Sequence, residues 1–283
     1  PRTDQPMSAR FLRLRLATAL AAALLASGCS WLPDKVDETR DWSAAKLYGE
    51  AKDALNNGDY TKAVGYYDKL QARYPFGRYA QQAQLESVYA YYRDGEPDSA
   101  VAAADRFIKT YPRHPYVDYV YYVKGLTNYN RASGPLDRLM PPDPTRTDAS
   151  AALQSFTDFN DLVTKFPDSK YAPDARARML FLRNNLATYE INVARYYQSR
   201  GAHVAAVNRA KYVVENYASS PAAPEALAIM ARSYVALGLP DLARDALRVL
   251  HQVADSLKAG ETVAVFPEGT TGDGASLLPF HAN

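Results

Sequence analysis

Few residues in this chain could do covalent or acid–base chemistry, and their spacing excludes most of it. The four His and single Cys among 283 residues show no paired spacing of the kind a metal site needs. No Gly-Lys-Ser/Thr loop that could cradle phosphates is present, and the glycines from Gly269 to Gly274 do not open a helix in that context. No serine sits in a nucleophile-elbow setting. Cys29 is the one nucleophile whose surroundings are ordered. It follows a basic stretch (Arg10, Arg13, Arg15), eleven small or apolar residues from Leu16 to Ala26, and Ser27-Gly28. That order is a secretory signal, too short to span a bilayer as a helix. An exported chain with one cysteine has no internal disulfide partner, so the thiol is a liability unless something caps it.

The run Leu25-Ala26-Ser27-Gly28-Cys29 resembles a bacterial lipobox, with Ala26 where Leu is the usual choice. The resemblance implies that Cys29 is acylated and becomes the new N-terminus, residues 1–28 being a signal peptide with an extension before Met7. Two or three acyl chains, at about 0.8 kcal/mol per buried methylene, hold a protein on a membrane stably. Ser30 in place of Asp implies sorting to the outer membrane by the same resemblance. Residues 29–43 are read as a polar tether between lipid and domain. The formal charge of +2 belongs to the leader: residues 1–28 hold four Arg and one Asp, leaving 29 basic against 30 acidic groups. An electrostatic nucleic-acid binder is thereby excluded. With 47% hydrophobic and 23% charged residues the chain has a packed core, and no apolar run reaches the ~20 residues of a membrane span.

From residue 44 the chain is periodic. Gly58, Gly95, Gly201 and Gly238 each precede an alanine by five positions (Ala63, Ala100, Ala206, Ala243), and Ser150 with Ser155 fits the same frame. Apolar residues follow seven positions after the small one: Leu70, Phe107, Leu162, Val213 and Leu250. Eleven positions after it stands Tyr74, Tyr111, Phe166 or Tyr217, the first three followed by proline. Glycine ends one helix and reverses the chain, the small residue lets two antiparallel helices approach, the aromatic closes the second helix and proline stops it. Two frames repeat after 37 residues, close to the 34 of tetratricopeptide repeats. The expected architecture is all-α: a right-handed tetratricopeptide-repeat solenoid of about five helix pairs over 44–250, stabilised by neighbour contacts, with a projecting loop at about 131–148. Of the 22 tyrosines most are expected in inter-helix packing with the hydroxyl at an edge.

Several linked motifs carry a wider resemblance. Arg73-Tyr74-Pro75-Phe76-Gly77, Gln81-Gln82-Ala83-Gln84-Leu85, Tyr89-Ala90-Tyr91-Tyr92, His114 to Tyr119, Phe181-Leu182-Arg183, Ala194-Arg195-Tyr196-Tyr197 and Arg200 to Arg209 resemble the BamD family, from about Cys29 to Leu250. That family comprises lipoproteins of the outer-membrane β-barrel assembly machinery. The resemblance implies a non-catalytic role on the periplasmic face of the outer membrane, without a cofactor. It implies binding to BamA, to other lipoproteins of the machinery and to unfolded outer-membrane proteins. Arg209 occupies the position implicated at the BamA interface, and Tyr89, Tyr92 and Tyr122 are the candidates for a concave aromatic groove that takes an extended segment. A generic periplasmic tetratricopeptide scaffold shares the fold and differs only in partner.

The punctuation lapses after Leu250: Ala254 stands where an aromatic is due and Asp255 where proline is. Residues 262–266 read as a short apolar strand, and Phe266-Pro267-Glu268-Gly269-Thr270 resembles a motif of lysophosphatidate-type glycerolipid acyltransferases. That family also uses a His with an Asp five positions on as general base, which is missing here: His114 and His251 have Asp four positions on, and His203 and His281 have none at five. Residues 251–283 are accordingly expected to be an inactive acyltransferase-like fragment joined to the repeats, and an acyltransferase rests on this tail alone.

Overall fold

The computed structural model describes residues 37–131 and 149–258. Residues 37–43 form a separate turn unit in which the Thr39 hydroxyl donates to Asp37 Oδ1 at 2.7 Å. From residue 44 the described residues hold ten α-helices and no strand. They are α1 (Ala44–Asn56), α2 (Tyr60–Arg73), α3 (Arg78–Asp94), α4 (Pro97–Thr110), α5 (Val117–Asn130), α6 (Ser150–Lys165), α7 (Ala172–Ser199), α8 (His203–Asn216), α9 (Ala223–Ala236) and α10 (Pro240–Lys258). Each helix packs on the next, and α1 on α3, α3 on α5 and α7 on α9. The odd-numbered helices are thus the first members of successive hairpins and meet across repeats, which is the layering of a tetratricopeptide-like solenoid.

Four of the even-numbered helices, α2, α4, α6 and α8, obey the sequence frame residue by residue. The small residues Ala63, Ala100, Ser155 and Ala206 are fully buried, and so are Leu70, Phe107, Leu162 and Val213. One turn on, the backbone N–H of Tyr74, Tyr111, Phe166 and Tyr217 donates to the carbonyl of each of those apolar residues at 2.8 Å. The aromatic is therefore the capping residue of its helix, and its ring turns inward: Tyr111, Phe166 and Tyr217 each pack on an apolar cluster. Tyr74, 37% exposed, is the least covered of the four. α4 shows why such a segment is helical. Pro97 takes the first position, Asp98 the first turn and Lys109 the last, and Ala100, Ala103, Ala104 and Phe107 recur at helical spacing on its buried side.

Gly95 ends α3 at φ +80°, its N–H donating to the Tyr91 carbonyl, a conformation that carries a penalty for any residue with a Cβ. The other repeat glycines share the sign of φ. Gly125 serves differently. A Cβ there would lie 2.6 Å from the ring of Phe159, and its carbonyl accepts from the Ser155 hydroxyl at 3.0 Å. The serine of the third frame therefore marks a close approach of α5 and α6. Beside it, the Asp158 side chain, 4% exposed, takes an ion pair from Lys124 at 3.2 Å and a hydrogen bond from Asn128 at 2.6 Å.

The last helix runs on beyond the expected boundary at residue 250. Ala243, Ala246, Leu250 and Val253 keep the 3-4-3 spacing of one face, Val253 is buried, and α10 continues to Lys258. Lost punctuation at Ala254 and Asp255 does not stop a helix whose apolar stripe persists. Cys29, all but Arg131 of the expected loop at about 131–148, the strand at 262–266 and the motif from Phe266 to Thr270 lie outside the described residues.

Candidate functional site

On the side of α1, α3 and α5 lies an open cleft of about 570 Å³. The spacing of α3 explains its wall. Gln82 and Glu86 are four apart, as are Leu85 and Tyr89, and Tyr89 is three from Glu86, so all four lie on one face of that helix. Lys52, Leu55 and Asn56 of α1 face them, Tyr60 enters from the start of α2, Tyr116 and Tyr119 from the start of α5, and Tyr171 from the residue before α7. Five tyrosines from four separate segments of the chain thus line one space. Tyr60 meets Tyr89 edge-on at 6.4 Å, and Tyr119 lies 5.6 Å from Tyr171. Burial raises the Tyr119 hydroxyl pKa, keeping it a neutral donor.

The base of the cleft is a carboxylate. Glu86 Oε1 accepts from Tyr48 OH at 2.9 Å, Lys52 Nζ at 2.9 Å and Gln82 Nε2 at 3.0 Å, and Oε2 accepts from the buried Tyr67 hydroxyl. Burial by itself would raise the Glu86 carboxyl, but the hydrogen bonds from Tyr67, Gln82, Lys52 and Tyr48 outweigh it and hold the group below its ordinary value. The tyrosines respond in the opposite sense. Burial first, and then the carboxylate they serve, push both hydroxyls well above 10.0, so they remain protonated donors. One side chain of α3 therefore ties α1 and α2 together beneath the tyrosines.

The structure divides the three groove candidates. Tyr89 lines the cleft. Tyr92 packs on Tyr89 at 6.3 Å but faces a second hollow of about 310 Å³, where its oxygen accepts from Asn130 Nδ2 at 2.7 Å. Tyr122 lies behind the cleft, stacked on Tyr171 at 4.8 Å and donating to Asp174 Oδ2 at 2.7 Å. Tyr92 and Tyr122 are each one ring removed from it. No repeat position in the sequence singles out Tyr60, Tyr116, Tyr119, Tyr171 or Glu86. The recurrence of Gln82, Glu86 and Tyr89 at helical spacing on one face of α3 is the available signal.

Arg209 lies on α8, on no wall of the cleft. Its Nη1 is 3.1 Å from Glu190 Oε2 of α7, with side-chain exposures of 47% and 13%. Val204, Asn208 and Tyr212, spaced by four, lie exposed on the same helix. This is a half-open, mixed apolar and charged surface of the kind seen in binding faces.

The profile of the YfiO family, described as an outer membrane lipoprotein, matches residues 40–250. A relative from Neisseria meningitidis serogroup A, named outer membrane protein assembly factor BamD, is 43% identical over 239 residues, covering 84% of this chain and 90% of its own. Proteins of the same name from Xylella fastidiosa and Vibrio cholerae are 39% and 35% identical, covering 83% and 81% of this chain and 80% and 94% of theirs. With its frame glycines and aromatic caps all inside the matched span, the chain belongs to the YfiO, or BamD, family of outer-membrane lipoproteins.

Proposed function

We propose that the chain is a subunit of the outer-membrane β-barrel assembly machinery, held at the periplasmic face by acyl chains on Cys29. Its work is binding without catalysis. The cleft of Tyr60, Tyr89, Tyr116, Tyr119 and Tyr171 receives extended segments of unfolded outer-membrane proteins, while the face around Arg209 docks the periplasmic domains of BamA. The observation that carries this reading is the convergence of five tyrosines on one open cleft of about 570 Å³. Rings in an open groove suit an extended, aromatic segment whose sequence varies from client to client. Arg209 supports the second half of the reading: a planar guanidinium at a half-exposed ion pair can exchange its partner for one on another protein.

The test is capture of the chain on immobilised periplasmic domains of BamA. An exposed arginine central to an interface contributes more than about 1 kcal/mol, so Arg209→Ala should weaken capture at least about fivefold. Equal, negligible capture of both forms would instead indicate a scaffold for other partners. Incubation with lysophospholipid and acyl donor should give no turnover.

A further inference from the structure

Three cations line the cleft and the hollow next to it: Lys52, Arg93 and Arg131. Lys52 is paired with Glu86 at 2.9 Å and Arg131 with Asp98 at 2.8 Å. Arg93 differs. Its guanidinium lies 4.8 Å from the Tyr60 ring centroid and 5.7 Å from that of Tyr89, and its Nη1 donates to the Tyr89 hydroxyl at 2.7 Å. Among the described residues no carboxylate pairs with it. The side chain is exposed and sits on the α3 stripe that walls the cleft, one turn beyond Tyr89. Aromatic rings hold a cation in place without neutralising it. A planar guanidinium has five N–H groups, and one bond to a tyrosine leaves enough of them for a two-point grip on a carboxylate.

We propose that Arg93 is a specificity-determining residue of the cleft, where it pairs with an acidic side chain inside an extended, aromatic client segment. This rests on the reading of the cleft as the client site. The position argues for an internal acid over a chain end. Arg93 stands between two concavities, the cleft on the side of Tyr60 and Tyr89 and the hollow on the side of Tyr92, Thr127 and Asn130, so a bound segment runs past it. Residues two apart on an extended chain point the same way about 6.6 Å apart, commensurate with the 5.7 Å from guanidinium to the Tyr89 ring. The favoured client therefore carries Asp or Glu two positions from an aromatic residue.

The test is fluorescence anisotropy with the full chain and a pair of labelled synthetic peptides. Both alternate aromatic and polar residues, and they differ only in a Glu or a Gln two positions from a phenylalanine. Each is made with a free and with an amidated C-terminus. The wild type should prefer the Glu peptide by about five- to tenfold, the range for a partly exposed charge-assisted pair, and the preference should shrink in high salt. Arg93→Gln should abolish the preference while leaving the Gln peptide's affinity within about twofold, and Arg93→Lys, which keeps charge but loses the planar grip, should fall between. A wild-type ratio of one, or a preference that survives in Arg93→Gln, overturns the role of Arg93 while leaving the cleft intact. A preference that follows amidation of the C-terminus overturns it in favour of a chain end. Binding of neither peptide removes the client cleft itself and this proposal with it.

Discussion

Replacing Glu86 with glutamine tests how the cleft is held. The substitution keeps the shape and removes the charge that four donors serve. A hydrogen bond to a charged group contributes about 1.5–3 kcal/mol and a neutral one about 0.5–1.5, so each bond loses roughly 1 kcal/mol. The two tyrosine hydroxyls can reverse and accept from the new amide. Lys52 cannot, but it is 41% exposed and water replaces much of its loss. The expected sum is about 2–3 kcal/mol, local to the first repeats because each repeat leans on its neighbours. Hydrogen exchange reads this directly: amides of α1 to α3 should open about 30- to 150-fold more often, those of α8 to α10 unchanged. The effect also depends on pH in a defined sense. The folded carboxyl titrates below its ordinary 4.5, so the unfolded chain takes up the proton first as pH falls. The stabilisation by Glu86 is complete above the unfolded value and drains away as pH drops through the lower folded one. Wild type and Glu86→Gln should converge there. Acceleration below about tenfold in α1 to α3 at neutral pH, or equal acceleration throughout the chain, would refute the account.

Gly125→Ala gains up to about 1 kcal/mol of helix propensity but drives a methyl to 2.6 Å from the Phe159 ring, and overpacking of about 1–3 kcal/mol should win, lowering the urea midpoint. Lys124→Met removes the cation from the Asp158 carboxylate, which is 4% exposed and keeps only the neutral donors Asn128 and Gln154, and should destabilise by about 2–4 kcal/mol. Adding Asp158→Asn should recover part of that loss, which a double-mutant cycle on urea midpoints measures. Gly95→Ala puts a Cβ at φ +80° and should destabilise by about 1–2 kcal/mol, with Gly95→Asn milder, as read by thermal melting.

What the sequence discloses, and what it hides, follows the range of the interactions concerned. Glycine, small residue, apolar residue and aromatic act on their own helix or the next one, so their spacing locates α2, α4, α8 and α10 and the capping role of Tyr74, Tyr111, Phe166 and Tyr217. Even the degraded frame at Ser150 and Ser155 marks a true helix start and a true close contact. The candidate site is different. Glu86 gathers donors 19, 34 and 38 positions away, and Tyr122 reaches Asp174 across 52. No spacing rule encodes such distances; they are set by how hairpins stack. Tyr89, Tyr92 and Tyr122 look equivalent as members of tyrosine runs, yet three positions along α3 separate the first two, the third stands on α5, and each has different surroundings. The helix end is hidden for a related reason: the punctuation lapses after Leu250, while the apolar stripe that keeps α10 helical continues to Val253.

The length of α7 decides where this molecule can be divided. Its 28 residues, roughly 42 Å at 1.5 Å each, put Ala175 and Leu182 into one apolar cluster with α6 and Ala187, Ile191 and Ala194 into another with α8, α9 and α10. Any single cut that assigns this rod to one fragment strips the other of a wall of its interior. Two fragments that overlap, each carrying its own copy of α7, are the division that leaves both interiors lined.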